Sequence, residues 1–167
     1  MSLRIRRAEA RDAPALVELA RAVGAEAEGW LVAEGDWRSV GEERRYLRTV
    51  RRSPQVAVIV AENERGVVGR LSIVRDSHPA CDHVADLGLM VARSERRRGV
   101  GRALLRAAEL WAREVGVRKL ELHVFPHNEA ALGLYESAGY RREGYRERHF
   151  RRGDALVDAI LMAKELW

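Results

Sequence analysis

At 167 residues, with 47 % apolar and 33 % charged side chains, the chain has the composition of a soluble globular protein and the length of one domain, 1–167. No run approaches the roughly 18 apolar residues of a membrane helix, and the charged start Met1-Ser2-Leu3-Arg4 leads into no signal-type apolar core, so a cytoplasmic protein without membrane contact is expected. The single Cys81 excludes an internal disulfide, and a net charge of +5, almost wholly arginine, points to a polyanionic partner, nucleic acid or a phosphorylated cofactor.

Leu3, Ile5 and Arg7 alternate with Arg4 and Arg6, which predicts a short first strand through Ala8. Asp12 offers an N-cap with Pro14 in the first turn, and Leu16, Leu19, Ala20 and Val23 recur at helical spacing until Gly24. Residues 24–37 lack periodicity and carry Glu26, Glu28, Glu34 and Asp36 with Trp30 and Trp37, but no basic residue. A second helix is expected from Ser39 to Arg51, with Val40, Tyr46, Leu47 and Val50 inward. Gln55 to Glu62 and Val67 to Arg75 read as a hairpin about Asn63-Glu64-Arg65-Gly66, and His83 to Ala92 as a fourth strand. A third helix, Arg102 to Val115, places Leu104, Ala108, Trp111 and Val115 on one face. Val117 to Phe125 is a fifth strand, with Leu120, Leu122 and Val124 facing away from Lys119, Glu121 and His123. A short helix from Glu129 to Ala138 follows, stopped by Gly139. Tyr140 to Phe150 and Ala155 to Ala163 close the chain as a hairpin about Arg151-Arg152-Gly153-Asp154. Hairpins outnumber crossovers, so the fold class is α/β with a mostly antiparallel sheet.

The stretch from Leu87 to Arg102 organises the rest. An apolar strand runs into a turn with Gly99 and Gly101, then into a helix whose first N–H groups have no intrahelical partner and can hold an anion. Arg93, Arg96, Arg97, Arg98 and Arg102 add positive charge, and together these features make a pyrophosphate cradle. Neither a P-loop nor a dinucleotide fingerprint is present, because no Gly-Lys-Ser/Thr follows and no third glycine completes the pattern. The spacing Arg96-x-x-Gly99-x-Gly101 resembles motif A of the GNAT N-acetyltransferases. Asn128, Ala131, Tyr135, Gly139 and Tyr140, in order after the fifth strand, are similar to motif B of the same family. Two positions depart from the pattern: many members have Pro where Arg93 stands and Gly where Arg97 stands.

The resemblance implies a sheet of about seven strands flanked by about four helices, with strand 4 bulged and splayed from strand 5. It implies acetyl-CoA as co-substrate, with main-chain groups of Leu89, Met90 and Val91 holding the pantetheine arm and thioester carbonyl. Arg96, Arg97, Arg98, Gly99, Val100, Gly101 and Arg102 would anchor the pyrophosphate, Arg97 reaching toward the 3′-phosphate, with Asn128 nearby. A primary amine would attack directly, without an acyl-enzyme, and no metal is expected. Tyr135 is the expected general acid, since a phenol with a reference pKa of about 10 can donate a proton at neutral pH. His123 or a water chain is the expected base, and Asp86 is its competitor, with Ala85 the closer match to the strand-4 carboxylate of other branches.

Trp30, Glu34 and Trp37, in the acidic segment, are the expected acceptor contacts, by charge attraction and cation–π contact with small or peptidyl amines of net positive charge. The resemblance also allows a homodimer joined through the C-terminal strands. Two other readings stay open: a CoA-binding module without catalysis, and a basic nucleic-acid-binding domain. The latter lacks the aromatic residues among its basic run that base stacking requires.

Overall fold

In the computed structural model, which describes residues 2–31 and 37–167, the strands are β1 (Arg4–Arg7), β2 (Val56–Asn63), β3 (Gly66–Arg75), β4 (Val84–Val91), β5 (Lys119–Val124), β6 (Arg141–Arg152) and β7 (Ala155–Glu165). They form one seven-stranded sheet in the order β1-β2-β3-β4-β5-β7-β6, antiparallel throughout except for β4 with β5. Four helices, α1 (Ala13–Gly24), α2 (Val40–Arg52), α3 (Val100–Glu114) and α4 (Glu129–Ser137), cover it.

Alternation along β2 decides which helices lie where. Val58 and Val60 pack with Leu16 of α1 and with Leu47 and Val50 of α2. Ala57, Ile59 and Ala61 point the other way, into a larger core with Leu71, Ile73, Leu120, Leu122, Leu104 and Leu105. Each large side chain so enclosed contributes about 1.5–3 kcal/mol. One buried ion pair interrupts the α2 side: Glu43, fully enclosed, meets Arg38 at 2.9 Å and the buried Arg70 at 3.3 Å.

The fold's functional feature is an opening. β4 pairs with β5 only from Val84 to Asp86, opposite Lys119 to Glu121, although both strands run on. Beyond Asp86 each strand stays with its outer neighbour, β4 with β3 to Val91 and β5 with β7 to Val124, so the pair diverges and exposes an edge of β4. The expected bulge in β4 is absent. Its register with β3 is unbroken from Ala85 to Val91, and the splay comes from where parallel pairing stops.

Several boundaries correct the sequence reading. Asp12 stands at the N-cap of α1 as expected, but its side chain makes no cap bond; its carboxylate accepts from the Glu9 N–H at 2.7 Å and from Arg6 at 2.7 and 2.8 Å, fastening β1 to the turn before the helix. Gly24 lies inside α1 rather than stopping it. Helix α3 begins at Val100, two residues before Arg102, so Gly101 is helical. The last hairpin turns on Gly153 and Asp154 alone, because β6 extends through Arg152.

Candidate active site

The cradle is built from backbone. After β4, a 3-10 turn over Arg93–Glu95 leads to two left-handed residues, Arg97 (φ 62) and Gly99 (φ 84), and α3 starts at Val100. The first helical bond runs from the Ala103 N–H to the Gly99 carbonyl at 3.0 Å, so the N–H groups of Val100, Gly101 and Arg102 have no backbone partner among the described residues. A Cβ on Gly99 would meet nothing within 4 Å, so the turn faces open space. These donors, together with the unpaired edge of β4, fit an extended ligand that ends in an anion. Gly101 has a different reason: a Cβ there would stand 2.7 Å from Leu134 Cδ2, so this glycine lets α3 close against α4 rather than admitting a ligand. Beneath the turn, buried Glu95 accepts from Asn63 and Arg65, each at 3.2 Å, and lies 3.8 Å from Arg98. Arg102 donates to Ser137 Oγ at 3.0 Å, tying α3 to the end of α4.

Arg96 is committed inside the protein. Its Nε donates to the Val91 carbonyl at 3.0 Å, and its two terminal nitrogens donate to Glu26 at 2.8 and 2.6 Å. Glu26 also accepts from Trp30 Nε1 at 2.8 Å, and Arg96 holds its carboxyl below the usual carboxylate range. Glu28 lies 3.8 Å from Arg93, and its carbonyl meets His127 Nε2 at 2.8 Å. Trp30 stacks on His127, and Arg152 donates to the Gly29 carbonyl at 3.0 Å. Of the two described carboxylates of the acidic segment, Glu26 is therefore taken up by Arg96, while Glu28 lies exposed with Arg93 at 3.8 Å. Trp37 is likewise occupied, with Arg38 and Arg70 over its ring. Glu34 and Asp36 lie outside the described residues.

Asp86 and His123 come together where β4 and β5 part, with Asp86 Oδ1 3.8 Å from His123 Nδ1. The Asp86 side chain is 64 % exposed and that of His123 only 20 %. Desolvation by the crowded groove, then the Glu121 carboxylate, push Asp86 up to about 6, with Arg146 opposing. Its large remaining exposure keeps it a group that water or a ligand can reach. Burial, then Arg146 and His149, hold His123 below its ordinary value, and its Nε2 is enclosed with no hydrogen-bond partner among the described residues. Ala85, the nearer match to a strand-4 carboxylate, is fully buried in the α3 core, so Asp86 is the strand-4 residue on the groove face.

Tyr135 is buried on α4, edge-on to Tyr140, and burial raises its phenol above the ordinary value, so it stays protonated. Asn128 acts as the cap of α4, its side-chain oxygen accepting from the Ala131 N–H at 3.2 Å. Cys81 sits in a 3-10 turn ahead of β4.

An open parallel strand pair above a helix start with uncommitted N–H groups suits an extended ligand that ends in an anion. The acetyltransferase (GNAT) family model matches residues 15–140, and the chain belongs to that family. It is an acetyl-CoA-dependent amine N-acetyltransferase.

Among curated relatives it is 35 % identical over 112 residues to the L-amino acid N-acetyltransferase AaaT of Escherichia coli, covering 66 % of this chain and 69 % of that one. It is 32 % identical over 95 residues to the ribosomal-protein-alanine N-acetyltransferase of the same organism, covering 57 % of this chain and 64 % of the relative. A GNAT-family acetyltransferase from Streptococcus pneumoniae superposes with a TM-score of 0.89 at 29 % identity, over 99 % of this chain and 100 % of that one. The yncA protein of Salmonella typhimurium, solved with its cofactor acetyl-CoA, shares the fold at a TM-score of 0.86 and 20 % identity, over 100 % and 95 % of the two chains. Among the described residues no helix is long and apolar enough to cross a membrane.

Proposed function

We propose that the chain, acting as one catalytic domain in the cytoplasm, acetylates the α-amine of a small molecule or a peptide, with Asp86 and His123 receiving the amine's proton and Tyr135 protonating the leaving thiolate. The observation that carries this reading is the pairing of Asp86 with His123 at the mouth of the splay, beside the edge of β4.

Acetyl-CoA supplies an activated acetyl thioester; everything else is the work of the chain. Main-chain groups of Leu89, Met90 and Val91 hold the arm along the open edge of β4, as an added strand would be held. An N–H fixed there, aimed at the thioester carbonyl, steadies the negative charge that grows on its oxygen. The N–H groups at Val100, Gly101 and Arg102 hold the pyrophosphate, with Arg97, Arg98 and Gly99 shaping the approach. Arg96 acts from behind, fixing the turn to Glu26, and Asn128 acts by capping α4, the helix that carries Tyr135.

A substrate ammonium must lose a proton before it attacks. Asp86 is the exposed member of the pair and takes that proton first; His123, neutral at pH 7, is the second station. The acceptor class rests on the relatives, one named for L-amino acids and one for an alanine of a ribosomal protein. Trp30 lines the acceptor side from its stack on His127.

The test is thiol release from acetyl-CoA against a panel of amino acids, peptides and polyamines. In wild type kcat/KM is expected to rise through about pH 6, as Asp86 ionises, and then level. Asp86→Asn is expected to lower it roughly a hundredfold and to remove that rise. Retention of both the rate and the rise in Asp86→Asn removes the carboxylate from the mechanism.

A further inference from the structure

The hairpin of β6 and β7 contains an irregularity that the reaction above does not use. Arg146 pairs with Ala159 and Phe150 with Val157, so Glu147, Arg148 and His149 stand opposite Asp158 alone. The extra residues form a bulge, and Arg148 takes a left-handed backbone (φ 48) that a side chain tolerates only when something holds it. Asp158 holds it. Its Oδ1 accepts from the Arg148 N–H at 2.7 Å and its Oδ2 from the Tyr145 hydroxyl at 2.6 Å. Those two bonds keep the Asp158 carboxyl below the usual range, so it is ionised across neutral pH.

The bulge has a consequence across the sheet. β7 lies between β5 and β6, so at the usual strand spacing β6 runs about 10 Å from β5, too far for a flat strand to lay a ring on a β5 side chain. Yet His149 stacks on His123 at 5.3 Å with the rings 16° apart. Phe150 meets His123 edge-on at 5.5 Å and His149 at 4.6 Å. The arch carries β6 over β7 and closes the far wall of the groove.

We propose that Asp158, by locking this bulge, holds His149 and Phe150 over His123 and is thereby a positioning residue for the proton-accepting pair. The proposal rests on the reading of Asp86 and His123 as that pair. The groups facing His123 are Asp86 from β4, Glu121 from its own strand, and Arg146 and His149 from β6; its register partner on β7 is the uncharged Leu161. Arg146 and His149 disfavour a proton on His123, as does the cover itself; Arg146 pairs in register with Ala159 ahead of the bulge, whereas His149 stands within it.

The test is a ring-proton NMR titration of His123 in the full chain, beside the pH dependence of thiol release. Asp158→Ala lets the arch fall away, so the His123 midpoint is expected to move up toward the 6.5 or so of a free imidazole. His149→Ala should move it the same way, whereas His149→Phe, which keeps a ring in place, should move it less. Asp154→Ala, in the turn of the same hairpin, should leave it where it is. In step with the titration, kcat/KM of Asp158→Ala at pH 6 should fall about threefold, with little change at pH 8. A His123 midpoint that is the same in wild type, Asp158→Ala and His149→Ala overturns the proposal. Should the midpoint rise while the pH–rate curve stays put, the positioning role stands, and it is the assignment of His123 to the proton path that fails.

Discussion

The two ends of the groove are made of different materials. At the proposed cofactor end the groups are backbone: an open strand edge, two left-handed residues and the first N–H groups of α3, all within one short stretch. At the proposed acceptor end they are side chains from distant places: Trp30 after α1, held by Glu26, Asp86 on β4, His123 on β5, His149 on the arch of β6. The partners Glu26 and Arg96 are 70 positions apart. A backbone site survives most side-chain changes, whereas an acceptor site assembled from long-range pairs can be retuned one pair at a time.

Substitutions that separate the ends test this contrast. The largest effect belongs to Tyr135→Phe, which removes only a hydroxyl from a packed ring. We expect kcat to fall by one to three orders of magnitude while the affinity for CoA, measured by calorimetry, holds. Unchanged turnover with both substrates saturating would take the phenol out of the reaction. Glu26→Gln comes next. It leaves the half-buried Arg96 without its counter-charge and loosens the segment bearing Trp30 from the cradle. A charged hydrogen bond contributes about 1.5–3 kcal/mol, so the acceptor KM should rise roughly tenfold. The KM for acetyl-CoA should change far less, because the main-chain donors remain. Equal rises in both constants would mean that the ends are one unit. Because Arg96 depresses the Glu26 pKa, the pair's contribution is fully present above the unfolded value near 4.5 and fades only as pH drops below it. Assays near neutrality therefore compare an intact pair with a broken one.

The same contrast explains what could be seen in the sequence. Strand and helix periodicity placed the seven strands and four helices, and the Arg96-x-x-Gly99-x-Gly101 spacing marked the turn into α3, because both signals are local. Glu26 and Glu28 were visible only as charges on an acidic stretch; nothing along the chain says that Arg96 and Arg93 lie across from them. Likewise nothing along the chain pairs Glu43 of α2 with Arg70 of β3, which the fold buries against each other at 3.3 Å. The arch of β6 was invisible for a related reason: Tyr140 to Phe150 reads as plain strand, and Asp158, the residue that holds the bulge, is on the partner strand. Gly101 was legible as a glycine but not for its reason, since the Leu134 contact is tertiary.

The smallest expected effect falls at Arg97, where backbone and side chain make opposite demands. Its φ of 62 is the conformation in which many family members place glycine, and a side chain there carries about 1 kcal/mol of strain. Arg97→Gly relieves that strain but gives the unfolded chain more freedom, a cost of similar size, so the urea midpoint should hardly move. What is lost is an exposed guanidinium at the cradle rim. If that charge meets the cofactor's 3′-phosphate, CoA binding should weaken about threefold to tenfold, while dephospho-CoA, which lacks that group, binds both proteins alike. Equal weakening of the two ligands would instead put the guanidinium on the pyrophosphate, and the cofactor end would then need a side chain as well as its backbone.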